Sequence, residues 1–153
     1  MPNTYSQIYI QIVFAVKGRE CFIKEPFREV LQKYMTGIIT NKKQKLYSIY
    51  CMPDHTHIFV SIKPDISISD LTRDIKANSS SFVKEKKLVN SSFSWQEGFG
   101  AFSYSKSQAQ TVNNYIINQP GHHSKKTFRE EYMEFLNKFE VDYDEKYLFE
   151  FYD

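Results

Sequence analysis

The sequence segment that most constrains the fold is residues 52–60, Met-Pro-Asp-His-Thr-His-Ile-Phe-Val. Its apolar, β-branched part predicts a strand, and successive side chains of a strand point to opposite faces of a sheet. His55 and His57 therefore project side by side from one face. The alternate residues point to the other face, where they can be buried: Thr56, Ile58, Val60 and Ile62. The segment predicts a sheet with one apolar face and one face that carries two neighbouring imidazoles.

Strand and helix patterns arrange the chain in the order β-α-β-β-α-β-α-α. Alternating apolar residues predict strands, and apolar residues at helical spacing after a capping residue predict helices. The predicted strands are residues 8–16, 46–52, 55–62 and an irregular, aromatic region at 93–104. The predicted helices are residues 25–41, 68–84, 105–119 and 127–139. Pro120 and Gly121 are expected to stop the third helix.

The first six elements match the split β-α-β arrangement of a ferredoxin-like fold. We therefore predict an α+β protein: a ferredoxin-like antiparallel sheet with helices on one face and an added C-terminal helix, which carries Tyr115. The other face of the sheet is then free. It would display Gln7, Tyr9 and Gln11 beside the two histidines, and polar residues that converge in this way favour a site over a core.

At 153 residues the chain is expected to form one domain, and 41% apolar residues are ordinary for a soluble globular protein. No apolar stretch has the length of a membrane span and no signal peptide is visible. We therefore expect a cytoplasmic protein without a membrane partner. Cys21 and Cys51 are interpreted as free thiols in a reducing compartment.

The net charge of +2 is unevenly distributed along the chain. Residues 140–153 carry −5 and the remaining residues +7, and a basic body suits a polyanionic partner. We predict a domain at residues 1–139 and an acidic, aromatic C-terminal tail at residues 140–153, docked on the body or on a second subunit. Eight basic residues are candidates for DNA-phosphate contacts, with an ordinary solvated charge as the alternative for each: Lys17, Arg19, Lys42, Lys43, Lys45, Arg73, Lys76 and Lys84.

Two neighbouring imidazoles can hold one metal ion or make structural hydrogen bonds. His55 and His57 follow a Pro-Asp turn and face away from the apolar side, which favours the metal site. By ligand softness, two neutral imidazoles suit Mn, Zn, Co or Ni better than Mg. A divalent ion held there would polarise a phosphate.

Tyr115 and Gln119 are four residues apart and share one polar face of the predicted third helix. A tyrosine beside a side-chain amide on a polar face is a candidate nucleophile. Its attack on phosphorus would leave a 5′-phosphotyrosine and a free 3′-hydroxyl. The alternative is a core aromatic. His122 and His123 follow the helix and are interpreted as polar loop residues near its C-terminus, with metal ligands or proton-transfer groups as the alternative.

In these features the chain resembles the small single-tyrosine HUH transposases of bacterial insertion sequences, and their relatives the REP-associated tyrosine transposases. Four segments carry the resemblance, in the family's order and across nearly the whole chain. They are residues 11–17 (Gln-Ile-Val-Phe-Ala-Val-Lys), 52–57 (Met-Pro-Asp-His-Thr-His), 95–99 with 102–103 (Trp-Gln-Glu-Gly-Phe and Phe-Ser) and 115–119 (Tyr-Ile-Ile-Asn-Gln).

The resemblance implies a metal-dependent DNA transposase that nicks and rejoins single-stranded DNA at hairpin-marked element ends. In this sequence His55, His57 and Gln119 would be the ligands of a divalent metal ion, Mg or Mn in use, and Tyr115 would be the nucleophile. Family members are homodimers in which the tyrosine helix completes the partner's site, and they recognise imperfect DNA hairpins.

Two positions depart from the family's pattern. The residue between the histidines is usually larger and apolar, but Thr56 is β-branched and compatible with a strand. Gln11 occupies a first-strand position that often carries His, and its role stays open.

Two other functions remain open. A domesticated hairpin-DNA-binding protein without cleavage activity needs none of His55, His57, Tyr115 and Gln119, so their joint presence disfavours it. A ferredoxin-like regulatory domain that senses a metal or a small ligand is disfavoured by the basic body and by the placement of Tyr115.

Overall fold

The computed structural model describes residues 3–89 and 92–152. The strands among these residues form one antiparallel sheet in the order β2-β3-β1-β4. They are β1 (Tyr9–Ala15), β2 (Lys45–Cys51), β3 (His55–Ser61) and β4 (Gly100–Tyr104). The α-helices are α1 (Phe27–Asn41), α2 (Ile68–Glu85), α3 (Ala109–Ile117), α4 (Gln119–His123) and α5 (Phe128–Lys138). This arrangement confirms the predicted α+β class and the ferredoxin-like antiparallel sheet.

The apolar face of the sheet forms the main core with α1 and α2. β1 and β3 pair with Ile10 opposite Val60 and Ile12 opposite Ile58, so these four side chains point to the same face. The two helices add fully buried side chains to this core: Leu31, Met35, Ile39, Leu71 and Ile75. Burial of each such side chain stabilises the fold by roughly 2 kcal/mol. The two predicted helices thus pack on the face of the sheet that the strand pattern predicts to be apolar.

The prediction that the second face of the sheet is free is wrong. Val112 and Ile116 of α3 pack against Phe59 on this face. Phe135 of α5 stacks on Phe102 with ring centroids 5.1 Å apart. Both helices have an apolar stripe that must leave water, and this face is the surface that receives it. Polar side chains on the second face are therefore enclosed between sheet and helices.

Two local predictions are also corrected. Residues 93–104 form a strand only at Gly100–Tyr104, preceded by one isolated bridge between Val16 and Trp95. Pro120 does not end the predicted third helix. The break comes at Asn118, and Pro120 lies in the first turn of α4, where no backbone hydrogen-bond donor is needed. His122 and His123 are consequently helical.

The predicted helix starts have the expected caps. Ser67 accepts a hydrogen bond from Asp70 N at 3.0 Å and begins α2. Thr127 and Glu130 form a capping box that begins α5. The capping box at Ser105 begins a short 3₁₀ turn that leads into α3. Among the described residues, no helix has the length and apolar character needed to cross a membrane.

Both cysteines are unpaired and buried, Cys21 beside the loop after β1 and Cys51 at the end of β2. Burial raises the pKa of the Cys51 thiol to about 12. This thiol therefore stays protonated and packs as a small apolar side chain.

The C-terminal residues run back over the loop after β1. Glu150 N donates to Gln96 Oε1 at 2.7 Å, and Gln96 Nε2 donates to Glu150 O at 2.8 Å. Gly18 N donates to the Tyr152 hydroxyl at 2.7 Å. Asp153, the last acid of the predicted tail, lies outside the described residues. The division of the chain into a domain and a tail at residue 139 stays a prediction.

Candidate metal centre and nucleophile

The two histidines stand side by side on the second face of the sheet, as the strand pattern predicts. A tight connection between β2 and β3, closed by a hydrogen bond from Met52 N to His55 O at 2.7 Å, makes His55 the first residue of β3. The imidazole centroids of His55 and His57 are 5.1 Å apart. Both rings are fully buried, and Phe128 of α5 stacks on His55 at a centroid distance of 3.9 Å.

Glu131 of α5 lies at the centre of the site and contacts three imidazoles. Its Oε1 accepts hydrogen bonds from His57 Nε2 at 3.0 Å and from His123 Nε2 at 3.1 Å. His55 Nε2 lies 3.3 Å from the same oxygen. One carboxylate oxygen therefore joins side chains that come from β3, α4 and α5.

The second oxygen of Glu131 binds the predicted nucleophile. Oε2 accepts hydrogen bonds from the Tyr115 hydroxyl and from Gln119 Nε2, the latter at 3.0 Å. Gln119 Oε1 lies 3.3 Å from His55 Nε2. The Tyr115 and His57 ring centroids are 6.1 Å apart. The structure thus brings the two histidines, the tyrosine and the glutamine predicted from the sequence into one cluster.

Sequence reasoning missed Glu131 and misplaced His123 in a loop. A signal for Glu131 exists, because it lies on the buried stripe of α5 between Phe128 and Tyr132. A carboxylate on such a stripe is costly to bury unless it is paired, so its position predicts a cationic or metal partner. His123 carries no comparable signal. The neighbouring His122 has the same residue type, yet it stacks on the Tyr115 ring at a centroid distance of 4.4 Å and is not one of the residues whose ligand atoms converge.

The charges of the cluster are unequally shared. Burial alone would raise the pKa of Glu131, but His57 and the other two imidazoles hold that pKa well below its usual range. One carboxylate cannot stabilise a positive charge on three rings. Burial lowers the pKa of His55, but its bonds to Asp54 and Glu131 outweigh burial and raise the pKa to about 9. Burial lowers the pKa of His57, so this ring is neutral near pH 7.

The raised pKa of His55 predicts a pH-dependent stability of the metal-free protein. The pKa changes from 6.5 for an ordinary histidine to about 9 in the fold, so the folded state binds the extra proton between these values. The resulting stabilisation is complete below pH 6.5 and is lost as the pH rises through 9. It amounts to roughly 3 kcal/mol. Urea unfolding in EDTA at pH 6 and pH 9.5 measures this difference.

The matched variants for this measurement are His55→Gln and His122→Gln. The unfolding free energy of His55→Gln should differ much less between the two pH values than that of the wild type. The unfolding free energy of His122→Gln should decrease from pH 6 to pH 9.5 as in the wild type. An unfolding free energy of the wild type that increases over this interval would contradict the charged state of His55.

The Tyr115 hydroxyl is held in its protonated form. Burial, followed by the adjacent charge of Glu131, raises the pKa of this phenol above its usual range. A phenolate at this position therefore needs a cation beside the oxygen, or a change in the position of Glu131. The protein groups alone therefore do not activate this hydroxyl.

The ligand chemistry of the cluster fits a divalent transition metal. One ligand atom from each of four residues, His55, His57, His123 and Glu131, lies within 4.8 Å of the others. Imidazole nitrogens with one carboxylate oxygen form a ligand set that Zn, Mn, Co and Ni accept. The amide oxygen of Gln119, the third ligand expected from the sequence, lies at the edge of this group.

A cleft of about 300 Å³ opens beside Tyr115. Tyr115 and Glu131 line it, together with aromatic, amide and hydroxyl side chains of β1, β4, α3 and α5. The two strand histidines are not among the residues that line it. Two cations, Lys126 and Lys138, line the same cleft and were not among the residues predicted to contact DNA.

The predicted DNA-contacting cations are not gathered around this cleft. Arg73, Lys76 and Lys84 belong to α2, which packs on the other face of the sheet. Lys42 and Lys43 lie in the turn after α1, and Lys45 is the first residue of β2. Lys76 has a structural role, since its Nζ donates to Gln96 O at 2.7 Å and to Gly98 O at 2.8 Å. Lys17 and Arg19 follow β1 instead, and Arg19 donates to Tyr152 O at 3.1 Å. Their roles in DNA binding stay predictions.

Comparison with known proteins adds three findings. The model of the family described as Transposase IS200 like matches residues 4–119. The solved structure of a candidate transposase from Deinococcus radiodurans R1 is similar, with 18% identity and a TM-score of 0.62 over 76% of this chain and 94% of that chain. A REP-associated tyrosine transposase bound to a REP hairpin is similar with 15% identity and a TM-score of 0.60, over 79% of this chain and 72% of that chain. At these identities the two structures show a shared fold. No curated protein matches the chain.

Proposed function

This chain belongs to the IS200-like transposase family, and from that premise we propose that it cuts and rejoins single-stranded DNA through a covalent bond to Tyr115, with a divalent metal ion as cofactor. The observation that carries the proposal is the convergence of Tyr115, His55 and His57 on one carboxylate, Glu131. The proposed nucleophile and the proposed metal ligands therefore contact the same carboxylate group.

The metal ion would supply positive charge that withdraws negative charge from the scissile phosphate. His55, His57 and Glu131 would hold it, with His123 or Gln119 as a further ligand. The family resemblance favours Mg or Mn as the ion that the protein uses, whereas the imidazole ligands would also accept Zn, Co or Ni. Because the family model matches residues 4–119, the proposed ligand set extends beyond the matched segment.

Tyr115 would attack the phosphorus atom of the scissile bond. A bond forms between phosphorus and the tyrosine oxygen, and the bond to the 3′ oxygen breaks, which leaves a 5′-phosphotyrosine and a 3′-hydroxyl. The tyrosine proton already points to Glu131 Oε2, so Glu131 is positioned to receive it. The leaving 3′ oxygen takes a proton from water in the cleft. Attack of a 3′-hydroxyl on the phosphotyrosine reverses these steps and rejoins the strand.

The DNA partner is proposed to carry hairpins near the cleavage sites. One structural neighbour is bound to a REP hairpin, which supports this class of DNA. In the single chain Tyr115 contacts Glu131 of its own chain. A homodimer in which the partner's tyrosine completes the site stays a prediction, and so does action on chromosomal DNA in the cytoplasm.

The complete burial of His55 and His57 favours a second candidate function. In a hairpin-DNA-binding protein without cleavage activity, the histidines and Glu131 would form a structural hydrogen-bond network, and the half-buried Tyr115 would remain a hydrogen-bond donor to it. Both candidates use the same basic surfaces for DNA, so only the chemistry separates them.

The test is a covalent adduct between protein and DNA. The full chain is incubated with labelled single-stranded oligonucleotides that tile the DNA flanking its gene, in Mn²⁺ or in EDTA, and resolved on a denaturing gel. We expect labelled protein in Mn²⁺ and none in EDTA, with duplexes of the same sequences as the matched control. Retarded complexes on a native gel, without an adduct from any oligonucleotide, would favour the binding protein.

A further inference from the structure

We propose that Gln11 is a positioning residue that decides which ring nitrogen of His57 carries the proton, and that its side-chain amide must turn over before His57 can bind a metal ion. The inference rests on the metal-dependent function proposed above. Gln11 is buried in β1, where it shares the second face of the sheet with both histidines.

His55 has the hydrogen bond that a metal ligand needs. Its Nδ1 donates to Asp54 Oδ1 at 2.7 Å, and an ionised carboxylate can only accept. When the ring is neutral, the proton therefore stays on Nδ1, and Nε2 faces the cluster at 3.3 Å from Glu131 Oε1. Metal-binding histidines usually donate their outer N–H in this way, which fixes the tautomer and the ring orientation.

His57 has the opposite arrangement. Gln11 Nε2 donates to His57 Nδ1 at 2.8 Å, so Nδ1 is the acceptor. A neutral imidazole that accepts at one nitrogen carries its hydrogen on the other. That hydrogen points from His57 Nε2 to Glu131 Oε1 at 3.0 Å. The nitrogen that faces the cluster therefore holds a proton and cannot bind an ion.

A half-turn of the Gln11 amide reverses this arrangement. Gln11 Oε1 would then accept a hydrogen bond from His57 Nδ1, and Nε2 of the ring would be free for a metal ion. The imidazole loses one proton at Nε2 and gains one at Nδ1 through solvent, so its charge does not change. The turn exchanges one hydrogen-bonded tautomer for the other.

The far end of the amide allows this turn. The Tyr104 hydroxyl donates to Gln11 Oε1 at 2.7 Å, and a hydroxyl can equally accept from the amide nitrogen. Both ends of the Gln11 amide therefore keep a partner in either orientation. The turn leaves no unpaired polar group on the amide itself, which would cost about 1–3 kcal/mol.

Tyr104 also couples the turn to the cleft. Gln11 and Tyr104 both line the cleft beside Tyr115. Once the amide donates to Tyr104, the hydroxyl hydrogen of Tyr104 needs a new acceptor, and the cleft is where water or a DNA oxygen can provide one. An oxygen of bound DNA would therefore favour the orientation in which His57 binds metal, and metal would favour bound DNA to the same extent.

The first test reads the tautomer directly. Long-range ¹H–¹⁵N NMR of the full chain distinguishes the two neutral forms of a histidine ring. In EDTA we expect His57 to carry its proton on Nε2, and with Zn²⁺ on Nδ1. A metal-free His57 that already carries its proton on Nδ1 would overturn the proposal, and this measurement needs no variant.

The second test is the affinity for Mn²⁺ by calorimetry. Gln11→Leu should bind about 10- to 100-fold more weakly than the wild type. Gln11→Glu can only accept from His57 Nδ1, so it should restore binding and show the Nδ1–H form even in EDTA. Gln110→Leu, on the exposed side of α3, is the matched control and should bind as the wild type does.

Equal affinities of Gln11→Leu and the wild type would overturn the proposal. If Gln11→Leu does not fold, the tautomers of the wild type and of Gln11→Glu decide the question. A wild type that binds no Mn²⁺ would contradict the proposed function itself, and the tautomer of its metal-free form would still decide whether Gln11 orients His57.

Discussion

Replacing Tyr115 by phenylalanine is expected to abolish the covalent protein–DNA adduct. The substitution removes only the hydroxyl, which is the proposed nucleophile and which donates to Glu131. We expect adduct formation to fall by about a thousand-fold or more, below detection on a denaturing gel. The lost hydrogen bond to an ionised carboxylate costs about 1.5–3 kcal/mol, which is less than the stability of a typical domain, so the fold should remain. Hairpin binding on a native gel should also remain.

The other tyrosines provide the control for this experiment. Tyr47 and Tyr50 lie on β2, away from Glu131, and their phenylalanine variants should still form the adduct. The thermal unfolding temperature of each variant shows that its fold is retained. If Tyr115→Phe still becomes attached to the 5′ end of the cut strand, the proposed chemistry is wrong.

Replacing His55 or His57 by alanine is expected to abolish Mn²⁺ binding and DNA cleavage together. Each variant removes an imidazole from the cluster proposed to hold the ion, and we expect the affinity to fall by more than about a hundred-fold, measured by calorimetry. Hairpin binding should be largely kept, because it depends on phosphate and base contacts spread over the surface. His122→Ala is the control for metal binding, since this ring lies outside the cluster.

The same measurement ranks the remaining ligands. Glu131→Gln should weaken Mn²⁺ binding more than Gln119→Ala, because a carboxylate is a better ligand than an amide oxygen for this ion. A larger effect of Gln119→Ala would indicate that Gln119, as the family resemblance implies, is the third metal ligand in place of Glu131. Cleavage by His55→Ala or His57→Ala in the presence of a chelator would show that the metal is not catalytic.

Local periodicity was enough to predict which side chains share a face. The pleat of β3 puts His55 and His57 together. Tyr115 and Gln119 also meet at one carboxylate oxygen of Glu131, although the break at Asn118 places them in α3 and α4 and not on one continuous helix. The structure brings all four to one cluster. These predictions succeeded because each depends on neighbours a few residues apart, whose geometry is set by the backbone.

The enclosure of the site could not be predicted in the same way. His57 and Glu131 are 74 residues apart, and no local pattern states which face of the sheet a later helix will cover. The apolar stripe of α5 predicts that the helix packs, but not where. Pro120 was misleading because a proline inside a helix and a proline in its first turn have the same sequence signature.

The long separation between the histidines and Glu131 also sets an order of events during synthesis. A growing chain emerges from its N-terminus, so all four strands leave the ribosome before α5 leaves it. The sheet can form at that stage with both imidazoles still uncovered and without their carboxylate partner. In the proposed transposase, a nascent chain would therefore bear the histidines and the tyrosine and still lack a finished active site. The ability to break a DNA strand would begin only when the last α-helix has been made and has closed over the sheet.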